Sequence, residues 1–158
     1  MKKLIFATLA CALLSNNAIA DQWYIYYMTA EGINLVNIDK IKCKKGNCLV
    51  WSAVVAASRE LPADLTVVKQ FINCENETYK HTAFYDYKNA KQIASISSDK
   101  SEWKDFQPES VGSLLLKATC NPKSRNKNLI IPVKSSLAEY TSTLQDLHEL
   151  ITNKRAAK

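Results

Sequence analysis

The chain has 158 residues, a formal net charge of +6 and 47% hydrophobic residues. This length is typical of one domain with a modest core. Lysines and arginines are dispersed along the chain, whereas nucleic-acid binding favours a dense basic stripe, so we expect no nucleic-acid partner. With only three glycines, the chain has no glycine-rich phosphate loop.

The first twenty residues, MKKLIFATLACALLSNNAIA, follow the pattern of a secretory signal peptide. The apolar run 4–14 is shorter than the roughly 20 residues that span a bilayer, and no later segment approaches that length. We therefore predict no transmembrane segment, cleavage after Ala20, and export to the periplasm or the outer-membrane surface. Lipidation at Cys11 is the alternative, although Thr8 stands where a lipoprotein signal usually has leucine.

Residues 21–120 are predicted to form the folded domain, and their first part consists of short aromatic and β-branched runs separated by turns. Short connections between successive strands favour an antiparallel meander of about six strands. The predicted strands are 22–28, 33–38, 48–57, 66–74, 78–87 and 92–98, with 40–43 continuing the second after a bend.

The pattern then changes to a helical one. Pro108 and Glu109 are typical of a helix start, and the apolar stripe that follows ends near Cys120. Residues 121–135 are predicted to be a basic linker. The sequence as a whole therefore predicts an α+β fold, with one helix packed on the antiparallel sheet and a further helix at the C-terminus.

The C-terminal helix is predicted over 136–153 and is amphipathic. Ser136 and Glu139 form a capping-box pattern at its start. Its apolar side chains recur every three or four residues, which leaves two interpretations open: packing on the domain's own sheet, or self-association into a homodimer or docking of a periplasmic protein. This seam consists of Leu137, Tyr140, Leu144, Leu147 and Ile151.

Four cysteines follow the leader, and an even number in an oxidising compartment indicates disulfides. Four cysteines allow three pairings. Cys43 and Cys48 flank the turn sequence KKGN, so we predict that they clip a hairpin, which leaves Cys74 with Cys120. Zinc ligation is disfavoured because the chain has no C-x2-C knuckle.

Catalytic patterns are lacking. The two histidines, His81 and His148, are far apart in sequence, and no nucleophile-elbow or zinc-protease motif occurs. We therefore predict a protein that is not an enzyme and that holds no metal or cofactor.

Several segments together resemble the surface-adhesin protein E family of Gram-negative bacteria. They are YIYYM followed by INLVNIDKIK, then CLVWSAVV, VVKQFINC and TAFYDY, and finally a tryptophan followed by QPESVGSLLLKATC. The resemblance extends from about Trp23 to Cys120. It implies a sheet of about six strands carrying a helix, and a disulfide matching Cys74–Cys120.

The resemblance also implies a function. By this resemblance, the protein is expected to bind host extracellular-matrix or serum proteins, such as vitronectin and laminin, around the strand that ends in the first cysteine of the shared pattern. Carried to this sequence, the expected partner-binding residues are Lys69, Gln70, Phe71, Asn73, Tyr79 and Lys80.

Two functions follow from the sequence. The first is an exported adhesin-like protein that engages host matrix or envelope macromolecules without catalysis. The alternative is a periplasmic accessory or structural envelope protein of the same fold, which would use the seam of the last helix to dock a partner or itself.

Overall fold

The computed structural model describes residues 20–98 and 100–156. Within these ranges a single antiparallel sheet carries two α-helices, in the order β7-β6-β5-β4-β2-β1-β9, with β3 beside β4 and β8 beside β6. The strands are β1 (Asp21–Thr29), β2 (Gly32–Asn37), β3 (Lys42–Lys44), β4 (Asn47–Ala56), β5 (Leu65–Asn73), β6 (Thr78–Lys88), β7 (Lys91–Ser97), β8 (Lys104–Asp105) and β9 (Ile130–Val133). The helices are α1 (Val111–Cys120) and α2 (Leu137–Ala156).

The predicted α+β class is confirmed, as is the antiparallel sheet with one packed helix and one C-terminal helix. The described residues contain nine strands instead of about six. One additional strand is β3, whose three residues overlap the segment 40–43 expected to continue the second strand; it is instead a separate strand that pairs with β4. Another is β8, whose two residues are too few for a periodic pattern to reveal.

The third additional strand, β9, lies in the segment 121–135 that the sequence indicates as a linker. It follows two short 3₁₀ turns and pairs with β1, so that Val133 lies opposite Asp21. Pro132 weakens the strand pattern because proline lacks a backbone donor. At the edge of the sheet this is tolerated, since the outward side of an edge strand needs no ladder hydrogen bonds.

Apolar side chains alternate between the two faces of the sheet, and each face carries one helix. On the α2 face, Leu144 of the helix packs with a core of sheet residues that includes Ile33, Leu35, Val55 and Leu65. On the α1 face, Leu115 and Ala118 pack with a second core that includes Val36, Val50 and Ile72. Each face therefore has its own hydrophobic core.

Both helices begin with a serine cap. α1 begins at Val111, three residues later than the proline signal suggests, because the Ser110 side chain accepts a hydrogen bond from the Ser113 backbone amide at 3.2 Å. The capping box of α2 is present as predicted. Glu139 N–H donates to Ser136 Oγ at 3.2 Å, and Ser136 N–H donates to Glu139 Oε2 at 3.3 Å.

Two disulfides link the cysteines in the pairs expected from the sequence. Cys43 and Cys48 lie directly opposite each other on β3 and β4. The turn between these strands has Lys45 at φ 49° and Gly46 at φ 75°, as a two-residue type I′ hairpin requires. Cys74 joins the end of β5 to Cys120 at the end of α1.

Candidate functional site

Strand β5 carries most of the predicted partner-binding residues, and its alternation separates them onto opposite faces of the sheet. Lys69 and Phe71 lie on the α2 face, paired with Trp51 and Leu49 of β4. Gln70, between them, points to the α1 face and pairs with His81 of β6. The predicted set is therefore two groups of residues on two surfaces.

The helix α2 covers only part of its face, and the rest forms a surface of cations and aromatic rings. We call this surface the cation–aromatic platform and define it as Trp51, Lys69, Phe71, Lys80 and Trp103. None of these side chains belongs to either core. Trp103 is 44% exposed and the others are half-buried.

The cations of the platform lie directly over its rings. Lys69 Nζ is 5.5 Å from the centre of the Trp51 ring. Lys80 Nζ lies between two rings, 5.6 Å from Phe71 and 5.3 Å from Trp103. These distances are those of cation–π contacts, each worth about 0.5–1 kcal/mol at an exposed site. Tyr85 extends the aromatic surface by stacking beside Trp51, with ring centres 6.0 Å apart.

The platform is also positively charged. Strand pairing places Lys42 opposite Leu49, and Lys44 opposite Asn47, on the same face as Lys69 and Lys80. None of the residues that pair with these four lysines on the neighbouring strands is acidic. Next to the platform, a groove of about 400 Å³ lies between Trp51 and the start of α2 at Leu137. The surface thus combines four lysines, exposed aromatic area and a groove.

Asn73 shares the platform's face, but its polar atoms are already used. Its Nδ2 donates to Asn47 Oδ1 at 3.0 Å, and its Oδ1 accepts from the backbone amides of Glu75 and Asn76. This side chain therefore holds the β5–β6 turn together, which positions Phe71 opposite Lys80.

Gln70 and Tyr79, the other two predicted residues, lie on the α1 face. Gln70 is 3% exposed and donates from Nε2 to Ser52 Oγ at 2.7 Å. The Tyr79 ring packs 4.8 Å from Phe106 and 5.0 Å from His81. These residues line a cleft of about 340 Å³ between the sheet and the beginning of α1.

Burial changes the titration of two groups in this cleft. The pKa of His81 is lowered, first by desolvation and second by the positive charge of Lys104, so the imidazole is neutral at pH 7. Burial raises the pKa of Tyr26, and its phenol keeps its proton. The cleft therefore presents neutral hydrogen-bonding groups.

The seam predicted on the last helix is divided between core and surface. Leu137 and Leu144 are buried against the sheet, and Tyr140 packs at the edge of the same core. Leu147 is 37% exposed, and Ile151 is half-buried. The seam residues that stay outside this core, Leu147 and Ile151, lie about one turn apart at the surface, next to the exposed Leu150.

Two platform residues, Trp51 and Trp103, and the neighbouring Tyr85 were missed by sequence reasoning. The sequence pattern assigns Trp51 to an apolar central strand. Trp103 lies in an irregular segment before α1. Trp51 can be assigned to a face only once the strand register is known, and Trp103 only once the pairing of β8 with β6 places it beside Lys80. The register is therefore what brings Trp51 and Trp103 together with the two lysines.

Residues 1–19 of the predicted leader, which include Cys11, lie outside the described part of the chain. None of the helices in residues 20–98 and 100–156 is long and apolar enough to cross a membrane. The same residues contain no cluster of three or more histidine, cysteine, aspartate or glutamate side chains arranged to hold a metal ion.

Fold and surface together define a disulfide-bonded α+β domain with an exposed aromatic and basic face, and exposed aromatic residues are enriched in protein interfaces. The family comparison agrees with this class. A family model described as surface-adhesin protein E matches residues 25–121, and the chain belongs to this family. The match contains all of the platform and the cleft.

Solved structures of protein E from Haemophilus influenzae are similar to this chain at low identity. The structure from a non-typeable strain shares 11% identity and a TM-score of 0.46, covering 79% of this chain and 88% of that one. Another structure shares 13% identity and a TM-score of 0.44, covering 63% and 84%. A comparison with individually curated proteins found no match.

Proposed function

We propose that this protein is an exported, non-enzymatic adhesin that binds an acidic stretch of a host extracellular-matrix or serum protein through the cation–aromatic platform. The observation that carries the proposal is the pairing of Lys69 and Lys80 with the rings of Trp51, Phe71 and Trp103. Membership of a surface-adhesin family supports the same function.

The platform suits a partner of mixed acidic and apolar character. Tryptophan, tyrosine and phenylalanine are enriched in protein interfaces because large rigid rings give much contact area for little conformational entropy. The lysines attract carboxylates or sulfates and accelerate encounter with an acidic partner. The groove beside Trp51 offers space for one side chain of that partner.

The direct test removes both cations from the platform. We expect the Lys69→Ala/Lys80→Ala protein to bind immobilised vitronectin or laminin roughly tenfold more weakly in surface plasmon resonance. The substitutions remove both the electrostatic attraction to an acidic partner and the cation–π contacts with the three rings. The matched control is Lys91→Ala/Lys127→Ala, which removes the same charge from exposed positions on β7 and on a 3₁₀ turn.

The control decides between a site and a general charge effect. Equal loss in both variants would mean that net charge alone carries the binding. Unchanged binding by the platform variant, or no binding by the unaltered protein to either matrix protein, would count against the proposal.

The proposed function also requires exposure on the cell surface. Protease treatment of intact cells, with a matched sample whose outer membrane has been permeabilised, measures this. We expect cleavage in intact cells. Cleavage only after permeabilisation would place host matrix out of reach, and a periplasmic role of the same fold would then replace the adhesin function.

A further inference from the structure

The cleft on the α1 face is separate from the platform and has the composition of a small-molecule site. It lies on the opposite side of the sheet, between the strands and the first turn of α1, and has a volume of about 340 Å³. Ligand pockets usually range from roughly 300 to 1,000 Å³ and combine apolar walls with a few polar groups that orient the ligand.

The floor of the cleft is a pair of buried polar side chains, Ser52 and Gln70. Gln70 is 3% exposed and Ser52 is 5% exposed, and the only hydrogen bond between them runs from Gln70 Nε2 to Ser52 Oγ. Among the described residues, none donates to Gln70 Oε1 and none accepts from the Ser52 hydroxyl. Gln70 Oε1 and the Ser52 hydroxyl hydrogen therefore remain open, at the floor of the cleft, to hydrogen bonds with a ligand or with water.

Aromatic rings form the walls above this floor. Tyr79 packs between Phe106 and His81, with ring centres 4.8 Å and 5.0 Å away, and Tyr26 lines the cleft as well. Such rings present flat apolar faces to a ligand. The two tyrosines also contribute hydroxyl groups, so the walls offer both kinds of contact.

The charge of the cleft favours a neutral ligand. Desolvation and Lys104 keep His81 neutral at pH 7, and the charged groups near the cleft, Lys104 and Asp105, are both exposed at its rim and opposite in sign. A ligand with a formal charge would have no buried counter-ion here. A neutral ring with several hydroxyl groups satisfies both the floor and the walls.

We propose that the Ser52–Gln70 cleft binds one neutral saccharide unit, whose hydroxyls bond to Gln70 Oε1 and Ser52 and whose C–H face packs on the aromatic wall. This site goes beyond the adhesive platform because it uses other residues on the other face. Two adjacent residues of β5 therefore belong to different surfaces: Lys69 lies on the platform and Gln70 lies in the cleft.

The test titrates the full exported chain with three probes: methyl glucoside, methyl galactoside and N-acetylglucosamine. Binding is followed by ¹H–¹⁵N chemical shifts. We expect saturable binding of at least one sugar with a dissociation constant on the order of 1 mM, with shifts centred on Ser52 and Gln70. Cyclohexylmethanol, a ring of similar size with one hydroxyl, should bind much more weakly.

Variants on the two faces separate the cleft from the platform. Gln70→Met keeps the length of the side chain and should weaken sugar binding roughly tenfold, whereas Lys69→Ala should leave it unchanged. Tyr26→Phe, which removes only a hydroxyl, provides a second test in case Gln70→Met lowers stability. Its effect should be a two- to fivefold loss, about what one hydrogen bond contributes.

Three results would overturn this inference. One is the absence of saturation by any of the three sugars. Another is equal binding of cyclohexylmethanol, which would indicate a merely apolar pocket. The third is unchanged affinity in both cleft variants. Failure of these tests leaves matrix binding through Lys69 and Lys80 untouched, so the two proposals fail separately.

Discussion

The two helices lie on opposite faces of one sheet and are held there in different ways. α1 has ten residues, of which only Leu115, Ala118 and Thr119 are buried, and it is linked to β5 by the Cys74–Cys120 disulfide. α2 has twenty residues, contains no cysteine, and is held by packing and by two hydrogen bonds to the sheet.

The difference shows what a short helix lacks. Of the three buried side chains of α1, only Leu115 is large and apolar. Burying it gives about 1.5–3 kcal/mol, which is less than the cost of ordering ten residues at roughly 1–2 kcal/mol each. A covalent link compensates for the missing area on the α1 face. On the α2 face, a longer helix buries enough apolar surface to stay in place without a link.

The largest expected effect comes from removing the link on the α1 face. Cys74→Ala/Cys120→Ala should lower the free energy of unfolding by about 4 kcal/mol, because the bond closes a loop with a sequence separation of 46. The control Cys43→Ala/Cys48→Ala removes a disulfide with a sequence separation of five. It should lower the free energy of unfolding by only about 2 kcal/mol.

Urea unfolding measures both values, and amide hydrogen exchange locates the effect. Exchange should accelerate in α1 and remain slow in α2 when Cys74 and Cys120 are replaced. Equal acceleration in both helices would show that the two faces are not independently held.

The second effect concerns packing on the α2 face. Leu144→Ala should lower the free energy of unfolding by about 3 kcal/mol, because this side chain is 1% exposed and its removal leaves a cavity. Leu147→Ala, one turn further on and 37% exposed, should change it by less than about 1 kcal/mol.

Thermal unfolding of the two leucine variants distinguishes a core helix from a docking helix. A large loss for Leu144→Ala with little change for Leu147→Ala is the core result. If instead both substitutions leave stability unchanged, the packing of α2 on its own sheet would have to be abandoned.

The smallest effect is electrostatic and belongs to the α1 face. The pKa of His81 is lower in the folded state than its usual value of 6.5, so below about pH 6.5 the unfolded chain binds a proton that the folded chain does not. The stability that this group contributes is therefore fully present above pH 6.5 and is lost as the pH falls towards the folded pKa. The loss corresponds to the uptake of at most one proton on unfolding.

Replacement of His81 by glutamine checks this sign. The urea midpoint of the unaltered protein should decrease as the pH is lowered from 8 to 5. The decrease should be smaller in His81→Gln. A variant with the same or a steeper fall would show that His81 does not contribute in this direction.

Local patterns predicted much of the fold. The capping box at Ser136 and the turn at Gly46 depend on residues within a few positions of each other, and both have the expected geometry. Alternation also indicated β5 and β6. Short or proline-containing strands such as β9 give weaker signals, because their stability comes from the neighbour that they pair with.

The sites were harder to predict than the fold. Lys69, Phe71 and Lys80 were singled out from the family resemblance, and the structure places them together on one surface. Trp51 and Trp103 join them only through the pairing of β4, β5, β6 and β8. Gln70 was singled out as well, but its face depends on the register, which no single stretch of sequence specifies.

The pairing of β1 with β9 has a consequence for how the chain becomes compact. β1 is the first strand to leave a ribosome or a translocation channel, and the strand that protects its outer edge is the last. Until residue 133 arrives, that edge presents unpaired backbone groups to other chains. A fragment of residues 21–121, which contains all of β1 but lacks β9, would keep this bare edge permanently, and we expect it to aggregate more readily than the full chain.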